Sequence, residues 1–296
     1  MENFVIITDS GSDLSAEMLE ELGVKVLPLT YTLNGTTYAN NPDHSEYPIS
    51  QFYREIKEGA PVSTSAVNVG EFLDCFTEIL ETGKDLIYIG LSSGISATFQ
   101  NANNAAEELK EKYPDRKIAV IDSLCASMGE GLLTYLAVKK AEETEDFDAV
   151  VEYVTELRHN ICHEVTVDDL GQLKRGGRIS PAVAFVGSML QLKPIIYVNP
   201  IGKLVSIDKA RGRRAAMSKL AETIVSFCVD ESETPVFISH GDCEDEALAV
   251  ADMIKAAMPN KKVVVNYIGQ VIGAHSGYKT IAVFCVGNGR GESREK

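Results

Sequence analysis

The chain has 296 residues, 45% hydrophobic and 24% charged, the make-up of a globular protein with one large or two ordinary domains rather than a disordered one. Its 28 basic and 43 acidic side chains leave a net charge of −15, which repels a phosphate backbone or an anionic membrane surface and excludes nucleic acid as an expected partner. Six scattered cysteines without a C-x-x-C pair signal neither zinc nor a disulfide framework, no basic region precedes the first strand, and the most apolar stretch, 182–198, is too short and too polar for a membrane span; a cytoplasmic protein is expected.

Phe4-Val5-Ile6-Ile7 predicts a first strand. The polar residues Asp9, Ser10, Ser12 and Asp13 after it read as caps of a helix over 14–22, which Gly23 stops. A strand over 24–33 leads into a turn-rich excursion over 34–50 and a helix over 51–57. Helices over 72–80, 97–112 and 126–144 alternate with strands over 85–91 and 117–121, the pattern of buried strands joined by crossover helices. A helical segment over 147–160 ends this part. The residue pattern therefore predicts an α/β fold with an N-terminal α/β domain over 1–160, a second α/β domain over 161–287 and a disordered polar tail over 288–296. In the second domain a short strand over 165–167, a helical turn at Asp168-Asp169-Leu170 and the glycine corner Lys174-Arg175-Gly176-Gly177-Arg178 precede an apolar helix over 181–190. Strands over 194–198, 204–206, 236–239, 263–267 and 281–286 and helices over 213–229 and 244–257 complete it.

In open α/β sheets ligands gather at the carboxyl ends of strands, and the chain places polar groups there. Leu91-Ser92-Ser93-Gly94-Ile95-Ser96-Ala97-Thr98 enters a helix whose first N–H groups favour an anion; simple N-capping by Ser92, Ser93 or Ser96 explains the same residues. Gly94-x-Ser96 resembles part of a nucleophile elbow, but Thr98 stands where a glycine is needed. Pro61-Val62-Ser63-Thr64-Ser65 reads as a hydroxyl cluster before a helix, and the segment from Gly269 to Gly277, with His275, as a glycine-spaced loop. Lys209, Arg211, Arg213 and Arg214 form a basic edge suited to docking or phosphate, or simply a solvated surface. Acidic pairs for metal or glycosidase chemistry are missing from the serine, hydroxyl-cluster and histidine segments.

In their order, Ile7-Thr8-Asp9-Ser10, Ser63-Thr64-Ser65, the Leu91–Thr98 segment, Ile121-Asp122-Ser123, Leu173-Lys174-Arg175-Gly176-Gly177-Arg178-Ile179, Lys193-Pro194 and Gly273-Ala274-His275-Ser276-Gly277 resemble the DegV family of bacterial fatty-acid-binding proteins. The resemblance implies two α/β domains with a lipid-binding tunnel between them. It implies one long-chain fatty acid, its carboxylate bound by Thr64, Ser96 and His275, with Arg211 near the head group to assist a phosphorylated form. It further implies a carrier without catalysis or cofactor, which presents the fatty acid to a separate kinase for acyl-phosphate formation. The chain departs from the family pattern at Ala97, at Ala66-Val67 and at Tyr278.

Physical chemistry fits such a cargo. Burying fifteen or so CH₂ groups at roughly 0.8 kcal/mol each yields on the order of 12 kcal/mol before binding costs, and residues 182–192 are a candidate lining. A desolvated carboxylate must be hydrogen-bonded or take up a proton; hydroxyls and a histidine, with no Lys or Arg directly on it, would satisfy it and leave an oxygen open to phosphorylation. The alternatives are a serine hydrolase using Ser96 and His275 and a module binding phosphosugars through the Arg211 cluster.

Overall fold

The computed structural model describes residues 3–179, 192–229 and 234–290. Its first part runs β1 (Phe4–Asp9), α1 (Ala16–Leu22), β2 (Lys25–Leu27), β3 (Thr30–Leu33), β4 (Thr36–Ala39), α2 (Ile49–Lys57), β5 (Val62–Ser65), α3 (Val69–Glu81), β6 (Asp85–Gly90), α4 (Thr98–Lys112), β7 (Ile118–Asp122), α5 (Met128–Thr144) and α6 (Phe147–Leu157). The second runs β8 (Ile161–Thr166), α7 (Gly171–Arg175), β9 (Leu192–Val198), β10 (Leu204–Arg211), α8 (Arg213–Phe227), β11 (Val236–His240), α9 (Glu244–Ala257), β12 (Val263–Tyr267), α10 (Gln270–Ser276) and β13 (Ile281–Val286). The protein is an α/β fold. A parallel sheet has the order β2-β1-β6-β7, a larger one the order β10-β9-β8-β13-β11-β12, and a small antiparallel sheet the order β4-β3-β5. Within the larger sheet only β11 and β12 are parallel; for β9 and β10 the turn at 199–203 is so tight that it permits antiparallel pairing alone.

Helix α5 explains how the two large sheets share a core. Leu132, Leu133, Leu136, Ala137 and Val138 are buried on all sides of it, so it needs cover on every face. Phe4, Ile6, Ile87 and Ile89 of the parallel sheet and Ile161, Val165, Phe237 and Phe284 of the larger one join it in one cluster. A second cluster fills the other face of the parallel sheet with α3 and α4, and a third seals the outer face of the larger sheet with α8 and α9. No helix of the described residues is long and apolar enough to cross a membrane.

Four expectations need correction. Ser15, not the polar run before it, caps α1 by accepting the Met18 N–H, while Asp9 and Asp13 turn inward to partners far along the chain. The hydroxyl cluster at 61–65 contains an edge strand, β5, paired with β3. The glycine-spaced loop is the helix α10. The expected tail is anchored at its first residues, since buried Arg290 donates to the carbonyls of Ser123, Leu124 and Arg158. The expected helix over 181–190 and the lining residues 182–191 lie outside the described residues; Leu192 opens β9.

Candidate functional site

The site is assembled by α10, which follows β12 yet packs against α2, β3 and β5. Its first amides are satisfied at long range: Gly269 N–H donates to Asp13 Oδ1 (2.9 Å) and Gln270 N–H to Asn40 Oδ1 (3.0 Å), which relieves the unpaired donors of a helix start. Gly273 permits the close approach, since a Cβ there would lie 2.5 Å from the Tyr53 hydroxyl, which itself donates to Ile268 O (2.7 Å). The last turn thereby brings His275 Nε2 to 2.8 Å from Thr64 Oγ1. Thr64 lies opposite Tyr31 on β5 and, by the two-residue period of a strand, turns to the same inner side as Val62.

Ser96 precedes α4. Its Oγ accepts the Thr98 N–H (3.2 Å) and lies 2.9 Å from Thr98 Oγ1. The preceding loop is held by Asp122 Oδ1, which accepts the amides of Ser93 and Leu124, and by Ser92, whose hydroxyl donates to Gly202 O at 2.9 Å.

Thr64, Ser96 and His275 line a cavity of about 260 Å³ between the parallel and the larger sheet. Its body is apolar, with Leu91 and Ile95 on one side and Val165, Val167, Ile196, Val198, Leu204 and Phe284 on the other. His163 also lines it but is spent: Nδ1 lies 3.0 Å from Ile161 O and Nε2 accepts from Ala126 N, and burial holds its imidazole well below the usual histidine range. His275 differs. Burial, aided by the Arg178 guanidinium, brings it down to about 4, so it is neutral at pH 7, and its Nδ1 is buried without a partner among the described residues. Gly176 forms the wall there, where a Cβ would come within 2.2 Å of Nδ1.

Thr64, Ser96 and His275 thus line a single cavity, whereas Arg211 is exposed at the end of β10, opposite Leu192, and is not among its lining residues. The guanidinium among the lining residues is that of Arg178, which donates to Ile95 O (3.0 Å) and Gly176 O. A guanidinium therefore lines the cavity together with the hydroxyls and the imidazole. The glycine corner carrying Arg178 was visible in sequence as basic residues in an acidic chain; the cavity it faces was not. The three departures from the family pattern are absorbed locally. Ala97 is exposed at the α4 start, Val67 is buried with its carbonyl accepting from Asn101, and the Tyr278 ring lies under Lys57 Nζ at 4.4 Å.

Residues 3–288 match the family described as "Uncharacterised protein, DegV family". A DegV domain-containing protein of Clostridium perfringens is 40% identical over 288 residues, 97% of this chain and 99% of its own length. Among solved structures, a DegV family protein from Thermus thermophilus described for its fatty acid binding is similar with a TM-score of 0.86 at 29% identity, covering 96% of this chain and 99% of that one. DegV of Bacillus subtilis, described as a fatty acid binding protein, gives a TM-score of 0.83 at 28% identity, again covering 96% and 99%. The fold, the order of the motifs and these likenesses agree: the chain belongs to the DegV family.

Proposed function

We propose that this protein binds one long-chain fatty acid in the cavity, its carboxylate held by Thr64, Ser96 and His275, and presents it to a separate kinase that forms the acyl phosphate. In this reading 1–160 and 161–287 act as two lobes around the lipid, and the protein is a carrier rather than a catalyst. The observation that carries it is a mainly apolar cavity whose lining includes hydroxyls, a neutral imidazole and one guanidinium. The two family members with solved structures described above are both described by fatty acid binding.

The chemistry follows from the partners. Neutral His275 with its proton on Nε2 donates to Thr64 Oγ1, which frees the Thr64 hydroxyl proton for a carboxylate oxygen. Ser96 Oγ, already accepting from Thr98 N, has its own proton available to the other oxygen. Arg178 supplies positive charge nearby and keeps the acid ionised despite burial. The hydrolase alternative requires Ser96 to bond the histidine; instead Ser96 Oγ meets Thr98, and among the described residues none bonds His275 Nδ1.

Native mass spectrometry of the protein purified from a bacterial host is expected to show an adduct of long-chain fatty-acid mass. Thr64→Val and Ser96→Ala should each weaken palmitate retention at least tenfold, whereas Arg211→Ala should leave it unchanged and impair acyl-phosphate formation by the kinase. A lipid-free protein that takes up no palmitate, or ester hydrolysis lost in Ser96→Ala, would overturn the reading.

A further inference from the structure

A cluster of thiols lies on the outer face of the larger sheet, turned away from the cavity. Along β8 and β13 the two-residue period sends His163, Val165, Ala282 and Phe284 into the cavity wall. It turns Cys162 and Cys285, which stand directly opposite each other in the register, to the face that α8 covers. Cys228, at the C-terminal end of α8, completes the group by pairing with Gly287, two residues beyond Cys285. The carbonyl of Ile224 accepts both the Cys228 N–H, at 3.0 Å, and the Cys285 thiol, at 4.0 Å. The Cys285 thiol in turn meets the thiols of Cys162 and Cys228. Gly287 makes the room: a Cβ there would lie 2.5 Å from Cys162 Sγ, which donates to Gly289 O at 3.3 Å.

Three of the chain's six cysteines therefore converge on one spot. None of them is in a disulfide, and among the described residues no group of three His, Cys, Asp or Glu is arranged to hold a metal ion. Their access to solvent differs, since Cys228 is half-buried and the other five cysteines are buried. The Cys162 and Cys228 thiols, together with burial, push the Cys285 thiol well above the ordinary range, so it keeps its proton at pH 7 and is a poor first nucleophile. One reachable thiol touching a dry one is the arrangement in which an oxidised sulfur is captured by its neighbour before it oxidises further.

We propose that Cys228 and Cys285 form a peroxide-oxidisable dithiol that closes into a disulfide between the end of α8 and β13. The Cys228 thiolate attacks one oxygen of hydrogen peroxide, the O–O bond breaks and water leaves, which gives a sulfenic acid at Cys228. The Cys285 sulfur then attacks the Cys228 sulfur; hydroxide departs and takes the Cys285 proton as a second water. Two thiols and one peroxide thus become one disulfide and two waters, the two electrons passing from sulfur to oxygen. The inference does not rest on the fatty-acid reading.

The test treats the purified full chain with hydrogen peroxide, alkylates it in denaturant with iodoacetamide, and maps it by intact and peptide mass spectrometry. The alkylated thiols are expected to fall from six to four, with the Cys228 and Cys285 peptides joined and separated again by dithiothreitol. Cys228→Ala and Cys285→Ala should each keep all five remaining thiols alkylatable, while Cys162→Ala still loses two. If Cys285→Ala fails to fold by circular dichroism, Cys228→Ala carries the same test at a half-buried position. Six alkylatable thiols after treatment would overturn the proposal. So would oxygen added to Cys228 without a cross-link, a bond between two chains, or a bond mapped to Cys162 and Cys285 that still forms in Cys228→Ala.

Discussion

Two polar clusters sit at the carboxyl ends of strands, and they differ in how completely their atoms are paired. In the seam after β1, Asp9 accepts from Gly11 N, Leu91 N and the Tyr88 hydroxyl, and Asp13 accepts from Gly269 N and the Ser127 hydroxyl, which in turn lies 2.8 Å from Ser239 Oγ. Both acids are buried, and burial raises both above the ordinary carboxylate range. At the cavity, Thr64, Ser96 and His275 are only half-buried, and His275 Nδ1 has no partner among the described residues. A polar cluster whose atoms are consumed by the protein holds the fold together; one with capacity left over, facing a cavity, is arranged for something else. Although both clusters are rich in small polar side chains, sequence alone does not reveal which is saturated.

The sharpest way to break the comparison is to remove one of the fully paired acids from the seam. Asp9→Ala strands two amides and a phenol in a dry interior, and each unpaired donor costs about 1–3 kcal/mol. We expect a loss of roughly 3–5 kcal/mol in urea unfolding, with Asp9→Asn recovering part of it. A loss below about 1 kcal/mol would mean that water replaces the carboxylate and that the seam is not structural.

Asp13 tests the same seam through pH. Burial pushes its carboxyl from 3.8 up to about 7, so between those values the folded protein keeps a proton that the unfolded chain releases. The folded state binds more protons in this window, and stability contributed by this group falls as pH rises through it. Asp13→Asn lacks the titration. Its stability relative to the unaltered chain should therefore climb from pH 5 to pH 8, by an amount on the order of 2 kcal/mol, and level off above the folded-state value. Taking the difference cancels the opposite slope from His163, His240 and His275, all depressed by burial. A difference independent of pH would show that Asp13 is ionised across the range.

What the sequence discloses follows from how local each determinant is. Helix α9 and strands β12 and β13 fall where apolar periodicity places them, over 244–257, 263–267 and 281–286. β5 escapes that test because Ser63, Thr64 and Ser65 give no apolar alternation, and the strand exists by pairing with β3 about thirty residues earlier. Helix α10 escapes because Gly273 at its centre weakens its intrinsic helix propensity and glycines flank both ends; Asp13, Asn40 and Tyr53, far away in sequence, compensate by binding its start and packing on Gly273. Thr64, Ser96 and His275 were legible as polar residues in recognisable motifs. That α10 carries the last of them across to β5, and that Arg178 rather than Arg211 faces the cavity, depends on packing between distant segments.

The unsaturated cluster can be probed by a single methyl group. Gly176 has an ordinary φ of −73°, so alanine there costs little in the backbone, and the whole effect of Gly176→Ala falls on what its Cβ meets. That atom is His275 Nδ1, at 2.2 Å, and the ring must shift toward the cavity or rotate, in either case breaking the 2.8 Å contact with Thr64. Overpacking against a half-buried ring that can move costs about 1 kcal/mol of stability, less than either change in the seam. Palmitate affinity should nonetheless fall about tenfold, because the imidazole no longer orients the Thr64 proton. Calorimetry with palmitate, alongside thermal unfolding of the same variant, separates the two effects. Unaltered affinity would mean that Thr64 and Ser96 grip the carboxylate unaided, and that the histidine is held beside them for another purpose.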